Sequence, residues 1–250
     1  MPYIHLGPIT LGTFGIMMAA AFLSVIPVLT RDARRRDLRI DPTNIVVVAA
    51  FCGIAGAKLY FGLEHWNELL AEPADILFSP YGFTWFGGLL GALLGLWVLA
   101  RRSGMTFLEM LDLCAPAAAL GYAIGRIGCL ISGDGDYGTP TDLPWGMSFP
   151  DGLVPTTERV HPTPIYEMLA GLGIFWFLWK RGVRNTGDTV GWYLVLSGIA
   201  RFLVEFIRLN ERVLWGLTNA QLASLGSIII GTALVARAAR IPVAPQGRQK

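Results

Sequence analysis

The chain of 250 residues is 53% hydrophobic and only 15% charged, with a net charge of +2. Soluble domains contain roughly 25% charged residues, so this composition argues against an ordinary soluble enzyme. The small net charge does not favour nucleic-acid binding, and three cysteines are too few for a disulfide-stapled secreted protein.

Apolar runs close to the ~20 residues that cross a bilayer recur along the chain. They predict helices near 9–29, 44–64, 83–100, 106–131, 162–180, 189–208 and 218–236. The sequence therefore predicts an all-α integral membrane protein with about seven transmembrane helices. We expect residues 1–250 to form a single transmembrane domain.

The basic residues between these runs predict the orientation. Fourteen Lys and Arg lie in loops and a tail on one side, five of them between Arg31 and Arg39, against three on the other side. Because positive charge is retained in the cytoplasm, we expect the N-terminus outside and the C-terminus in the cytoplasm.

One connection, 132–161, is long and rich in Gly, Pro, Asp and Thr, and the charge pattern assigns it to the outer face. A structureless loop of this length in a compact protein is usually functional. We therefore expect the chemistry at this face of the membrane.

Arg126 lies near the end of the fourth predicted helix, just before this loop, in the segment Gly125-Arg-Ile-Gly-Cys129. An ionised side chain within a span costs at least ~2.5 kcal/mol, which makes it a candidate for function. Gly121, Gly125 and Gly128 follow a small-residue spacing that leaves room for a ligand beside the guanidinium. The alternative is an arginine that extends outward to solvent.

The sixth predicted helix carries Arg201, Glu205 and Arg208. Arg201 and Glu205 are four residues apart, so they share a helical face and can pair. A buried salt bridge that stabilises the helix bundle would explain them equally well.

Arg126, Arg201 and Arg208 are all predicted near the outer leaflet, where guanidinium groups can bind a phosphate bidentately. A phospholipid headgroup is the phosphate available there. Acid, base or orienting groups could come from the loop and the start of the fifth helix, namely Asp134, Asp136, Asp142, His161, Tyr166 and Glu167. Pro162 suits the first helical position, which places His161 at or beside the helix N-cap, where a simple helix-end hydrogen bond is the alternative role.

Cys52, Cys114 and Cys129 show no metal-binding spacing, so we expect no metal site and no cofactor. Small buried apolar residues are the simpler interpretation. Cys129 is three residues from Arg126, whose charge could favour a thiolate, so a catalytic role remains an alternative for it.

Four motifs together resemble prolipoprotein diacylglyceryl transferases, over about Gly53 to Gly231. They are Gly125-Arg-Ile-Gly followed by the Gly/Asp loop to Gly138, His161-Pro-Thr-Pro-Ile-Tyr-Glu167, Arg201-Phe-x-x-Glu205-Phe-x-Arg208, and Leu217-Thr-x-x-Gln221-x-x-Ser224. The resemblance implies a seven-helix enzyme of the bacterial inner membrane whose site faces the outer leaflet. Such an enzyme moves the diacylglyceryl group of phosphatidylglycerol onto the lipobox cysteine of a prolipoprotein, forming a thioether.

The resemblance also implies roles for individual residues. Arg126 would hold the lipid phosphate, Arg201 and Glu205 would line the second side of the site, and Asp134 stands where the family usually has a glutamate. The implied catalytic set is Arg126, Arg201, Glu205, Asp134 and His161, and the implied phospholipid-binding set is Arg126, Gly138, Arg201 and Arg208.

Several positions depart from the family pattern. Phe86 replaces the histidine of a His-Gly-Gly-Leu motif, Cys129 replaces an asparagine, and Phe14 and Ser197 each replace a tyrosine. These changes affect the proton acceptor more than the lipid site. The alternatives are a phospholipid-binding paralogue with altered catalysis and, with less support, a membrane transporter or channel.

Overall fold

The computed structural model describes residues 2–7, 9–79 and 82–240 of the chain. In chain order the elements are β1 (Tyr3–Leu6), β2 (Ile9–Gly12), α1 (Thr13–Arg35), α2 (Pro42–Glu64), α3 (Trp66–Ala71), α4 (Pro73–Phe78), α5 (Trp85–Arg102), α6 (Phe107–Ser132), β3 (Met147–Phe149), β4 (Thr156–Val160), α7 (Thr163–Arg181), α8 (Asp188–Val204), a 3-10 turn (Glu205–Ile207), β5 (Arg212–Leu214), β6 (Leu217–Thr218) and α9 (Asn219–Ala239). The basic C-terminal tail, 241–250, lies outside the described residues.

Each of the seven predicted apolar runs contains a long helix. Among the described residues, five segments are long and apolar enough to cross a membrane, namely Thr13–Arg35, Pro42–Glu64, Phe107–Ser132, Asp188–Ile207 and Asn219–Ala239. The predicted helical membrane class is thus confirmed, while seven spans and the orientation of the termini stay predictions.

The first helix differs from its predicted range of 9–29. The strands Tyr3–Leu6 and Ile9–Gly12 pair antiparallel, and α1 begins only at Thr13, whose amide and hydroxyl both donate to the carbonyl of Pro2. At its other end α1 runs on to Arg35, and Asp32 pairs with Arg36 at 2.8 Å just beyond. An ion pair at this spacing stabilises the last helical turn, which the hydrophobic pattern alone does not reveal.

The described residues divide into two compact units. The second unit is Leu29–Met110, in which α2 packs on α5, and the first comprises the described residues on either side of it. All the arginines of the candidate site lie in the first unit. That residues 1–250 form a single transmembrane domain stays a prediction.

Close helix contacts build the first unit. The helices α8 and α9 approach so closely that a Cβ on Gly231 would lie 2.6 Å from the carbonyl oxygen of Gly191. Asp112 of α6, only 1% exposed, accepts hydrogen bonds from the amides of Gly187 and Val190 at 2.6 and 2.8 Å. These amides belong to the start of α8 and would otherwise be unpaired, so Asp112 fixes α8 against α6.

The connection 132–161 is not structureless, contrary to expectation. The strands β3 and β4 pair within it, and the Tyr137 ring stacks on Phe149 with centroids 4.2 Å apart. The amide of Val154 also donates to the carbonyl of Gly133 at 2.9 Å. The loop is therefore a folded segment that presents fixed side chains.

Two predicted helices differ from the structure in detail at one end. The helix α7 begins at Thr163 with Pro162 as its N-cap, so Pro162 does not occupy the first helical position, although His161 does adjoin the cap. The helix α8 ends at Val204, followed by the 3-10 turn, and Arg208 has extended backbone. The hydrophobic pattern continues through this turn, which is why it predicted a helix to 208.

Candidate active site

Three arginines and three carboxylates lie in mutual contact in the first unit, and we call them the arginine–carboxylate cluster. Its members are Arg126 of α6, Asp136 of the folded loop, Glu167 of α7, Arg201 of α8, Glu205 of the 3-10 turn and Arg208 beyond it. The structure thus brings together the three arginines that the sequence predicted to converge.

Glu167 is the hub of this cluster, and its side chain is only 4% exposed. Its Oε1 lies 2.7 Å from Nη1 of Arg201, and its Oε2 lies 3.3 Å from Nε of Arg126 and 3.5 Å from Nη1 of Arg208. The hydroxyl of Tyr122 donates to Oε1 at 2.7 Å. One carboxylate therefore positions all three guanidinium groups.

Tyr122 also lies beside Arg126, whose guanidinium carbon is 4.9 Å from the centre of the tyrosine ring. A cation over an aromatic face is attracted by the ring quadrupole. Sequence analysis missed Tyr122, but its position four residues before Arg126 on one helix could have indicated the contact.

Glu205 is completely buried, at 0% side-chain exposure. Its Oε2 pairs with Nη2 of Arg201 at 2.8 Å, as the four-residue spacing predicted. Its Oε1 accepts from Asn210 at 2.6 Å and from the hydroxyl of Thr218 at 2.9 Å. Glu205 is therefore suited to position Arg201 and the hairpin of β5 and β6.

Asp136 is the loop's contribution to the cluster, where its two carboxylate oxygens bind Arg126 and Arg208. Burial opposes ionisation of this carboxyl, but the hydrogen bonds and charges of Arg208 and Arg126 outweigh it and lower the pKa of Asp136. The side chain is nevertheless 31% exposed, far more than either glutamate of the cluster.

Asp134, to which the family resemblance assigns a catalytic role, has no ion pair among the described residues. Its Oδ1 accepts from the backbone amide of Asp136 at 3.2 Å. Ligand atoms of Asp134, Asp136 and Cys129 all lie within 4.8 Å of one another. Two guanidinium groups already neutralise Asp136, and their positive charge disfavours a cation at this point. Asp134 thus lies at the edge of the cluster, beside the thiol of Cys129 and without an arginine partner among the described residues.

Gly138 holds the loop against the cluster. Its amide donates to the carbonyl of His161 at 2.9 Å, and its backbone forms a bridge with Arg208. A Cβ at this position would lie 2.7 Å from both the carbonyl oxygen of Ile207 and the Cβ of His161. Only glycine fits here, so its role is steric.

The ring of His161 is turned toward Tyr166. Its Nδ1 lies 3.2 Å from the Tyr166 hydroxyl, which accepts from the indole of Trp145 at 2.8 Å. His161 therefore belongs to a hydrogen-bonded chain beside the arginine–carboxylate cluster, whereas sequence analysis placed it within the catalytic set.

A largely apolar groove of about 660 Å³ runs between α7 and α8 and reaches the cluster at Glu167. Apart from Tyr166 and Glu167, its lining is apolar or glycine: Ala170, Gly173, Ile174, Phe177, Leu196, Ile199, Ala200, Leu203, Val204 and Ile207. The site thus combines guanidinium groups with an adjoining hydrocarbon surface, as an amphiphilic ligand requires.

The comparisons with known proteins agree with this geometry. A family model described as prolipoprotein diacylglyceryl transferase matches residues 2–237. Proteins named phosphatidylglycerol–prolipoprotein diacylglyceryl transferase are similar to the chain. The protein of Finegoldia magna is 36% identical, and the alignment covers 88% of this chain and 88% of that protein. The protein of Synechococcus elongatus is 33% identical, and the alignment covers 91% of this chain and 83% of that protein. The relative from Ectopseudomonas mendocina is 33% identical over 94% of this chain and 92% of its own. The chain belongs to the prolipoprotein diacylglyceryl transferase family.

Proposed function

We propose that this protein transfers the diacylglyceryl group of phosphatidylglycerol to the lipobox cysteine of bacterial prolipoproteins. The observation that carries the proposal is the arginine–carboxylate cluster at the end of an apolar groove. The names of its relatives supply the same two substrates.

The lipid phosphate binds to Arg126, Arg201 and Arg208, since guanidinium forks match phosphate oxygens. Gly138 keeps the loop close enough for Arg208 to take part. An acyl chain lies in the groove between α7 and α8, whose walls are apolar beyond Glu167. This places the glyceryl carbon at the boundary between hydrocarbon and charge.

In the transfer step the cysteine sulfur of the prolipoprotein forms a bond to the glyceryl carbon, and the bond from that carbon to the phosphate oxygen breaks. The electron pair stays on the phosphate, which leaves as glycerol phosphate. Arg126 supplies most of the stabilisation of this developing charge.

The proton of the thiol must also be accepted, because a free cysteine with a pKa near 8.5 is only a few per cent ionised at neutral pH. Phe86 stands where the family has a histidine, so the acceptor comes from elsewhere. Asp134 and His161 are the two candidates, and Asp134 has the stronger support because no arginine among the described residues neutralises it. We expect Asp134→Asn to lower kcat more than His161→Gln does.

The protein crosses the bacterial inner membrane seven times, with the N-terminus outside and the site at the outer leaflet. Five apolar helices and the asymmetric loop charges support this arrangement. Labelling of single cysteines introduced at Arg34 and Asp142 with a membrane-impermeant reagent tests it, and we expect only the second to react in intact cells.

The direct test mixes the purified protein with phosphatidylglycerol and a synthetic lipobox peptide and detects the lipid adduct on the peptide by mass spectrometry. Arg126→Ala should abolish the adduct, while the matched variant Arg184→Ala, at an exposed position outside the cluster, should not. Lipid binding without an adduct would identify a paralogue with altered catalysis, and solute uptake into liposomes that contain the protein would identify a transporter.

A further inference from the structure

The carboxylate of Asp136 binds the same guanidinium groups that the proposed function assigns to the lipid phosphate. Its oxygens pair with Arg126 and Arg208. We propose that Asp136 is an internal competitor of the phosphate, so that phosphatidylglycerol binds by exchanging its phosphate for this carboxylate. The inference rests on the proposed function and deepens it.

The charges of the arginine–carboxylate cluster make such an exchange necessary. Three guanidinium groups face three carboxylates, so the cluster carries no surplus positive charge. A phosphodiester adds one negative charge, and an unbalanced charge in a partly buried site is costly. Release of one carboxylate restores the balance.

Asp136 is the carboxylate that can leave. Its side chain is 31% exposed, whereas those of Glu167 and Glu205 are 4% and 0% exposed. Tyr122 holds Glu167, and Asn210 and Thr218 hold Glu205 from outside the cluster.

The exchange requires little backbone movement. The backbone carbonyl of Asp136 accepts from the hydroxyl of Thr163 and its amide donates to Asp134, so the loop stays anchored while the side chain rotates. The Nη2 atom of Arg208, which Asp136 releases, then becomes available to the phosphate, while Nε of Arg208 stays 3.8 Å from Oε2 of Glu205.

The same exchange runs in reverse when the product leaves. Glycerol phosphate carries more negative charge than the phosphodiester and would bind three arginines tightly. A carboxylate that returns to Arg126 and Arg208 competes with this product and speeds its release. Asp136 therefore lowers the affinity for the lipid and prevents product inhibition.

The variant Asp136→Asn tests the competition, with Asp151→Asn, an exposed loop aspartate outside the cluster, as the matched control. Native mass spectrometry measures binding of phosphatidylglycerol and of diacylglycerol, which has no phosphate. We expect Asp136→Asn to bind phosphatidylglycerol about tenfold more tightly, since a charged hydrogen-bonded competitor has been removed, and diacylglycerol unchanged. Equal or weaker binding of phosphatidylglycerol would overturn the inference.

A second measurement uses the unaltered protein and does not depend on how the variant folds. A water-soluble carbodiimide with an amine nucleophile labels accessible carboxyl groups, and peptide mapping quantifies the label on Asp136. We expect phosphatidylglycerol to increase this labelling and diacylglycerol to leave it unchanged. No increase with phosphatidylglycerol would overturn the exchange.

The two proposals fail in different ways. If the unaltered protein forms the peptide adduct but either measurement fails to behave as described, only the role of Asp136 is wrong. If the unaltered protein neither binds phosphatidylglycerol nor forms the adduct, the proposed function is wrong.

Discussion

Replacement of Glu167 by glutamine probes the hub of the arginine–carboxylate cluster. Glutamine keeps the shape of the side chain but loses its charge, and its amide nitrogen is a donor that would face the donors of Arg126 or Arg201. The side chain is 4% exposed, so water does not compensate for the loss.

The magnitude follows from the burial of the partners. Breaking a buried ion pair costs about 3–5 kcal/mol, and Arg126 and Arg201 are 16% and 26% exposed, which favours the lower end, about 3 kcal/mol. For a chain of this size that corresponds to a fall in Tm of about 6–12 °C. Transfer activity should fall on the order of 100-fold, because three guanidinium groups lose the carboxylate that positions them.

Thermal unfolding in detergent and the lipobox-peptide assay measure the two effects. The control is Glu211→Gln, at an exposed position outside the cluster, which should leave both unchanged. Tyr122→Phe removes one hydrogen bond to Glu167 and should cost only about 1 kcal/mol. Glu167→Gln with the stability and activity of the unaltered protein would refute the role of Glu167 as hub.

Three further predictions concern the loop, the scaffold and the groove. Gly138→Ala should reduce transfer activity at least tenfold, because the added Cβ would overlap the backbone carbonyl of Ile207. Gly226→Ala, where a Cβ meets nothing within 4 Å, should leave the activity unchanged, and equal activities of the two variants would contradict the steric role of Gly138. Asp112→Ala should lower the free energy of unfolding by about 3 kcal/mol, measured by thermal unfolding, since it leaves two buried amides unpaired; an unchanged Tm would refute this. Ala200→Trp should fill the groove and raise KM for phosphatidylglycerol at least fivefold. Ala233→Trp, on an exposed face of α9, should leave KM unchanged. Equal KM values of the two variants would show that the lipid does not bind in the groove.

The sequence predicted those features that depend on periodicity and on long apolar runs. Each of the seven runs contains a helix, and the pairing of Arg201 with Glu205 follows from their spacing on one helix. The convergence of Arg126, Arg201 and Arg208 could also be predicted, because each lies near the same end of its span.

What the sequence could not predict depends on loops and on contacts between distant segments. Two aspartates two residues apart offer the same chemistry, and only the path of the loop decides that Asp136 meets the arginines while Asp134 does not. The central position of Glu167 depends on the packing of α7 between two arginine-bearing segments. The 3-10 turn at Glu205–Ile207 could not be predicted, because the hydrophobic pattern of α8 continues through it without a change.

The position of the lipid phosphate tests the central claim most directly. A cryo-electron microscopy or crystal structure of the protein bound to phosphatidylglycerol would locate it. The account predicts phosphate oxygens within hydrogen-bonding distance of Arg126 and Arg208, with the carboxylate of Asp136 released from both and Glu167 still in place. A phosphate bound elsewhere, with Asp136 still paired to both arginines, would contradict it.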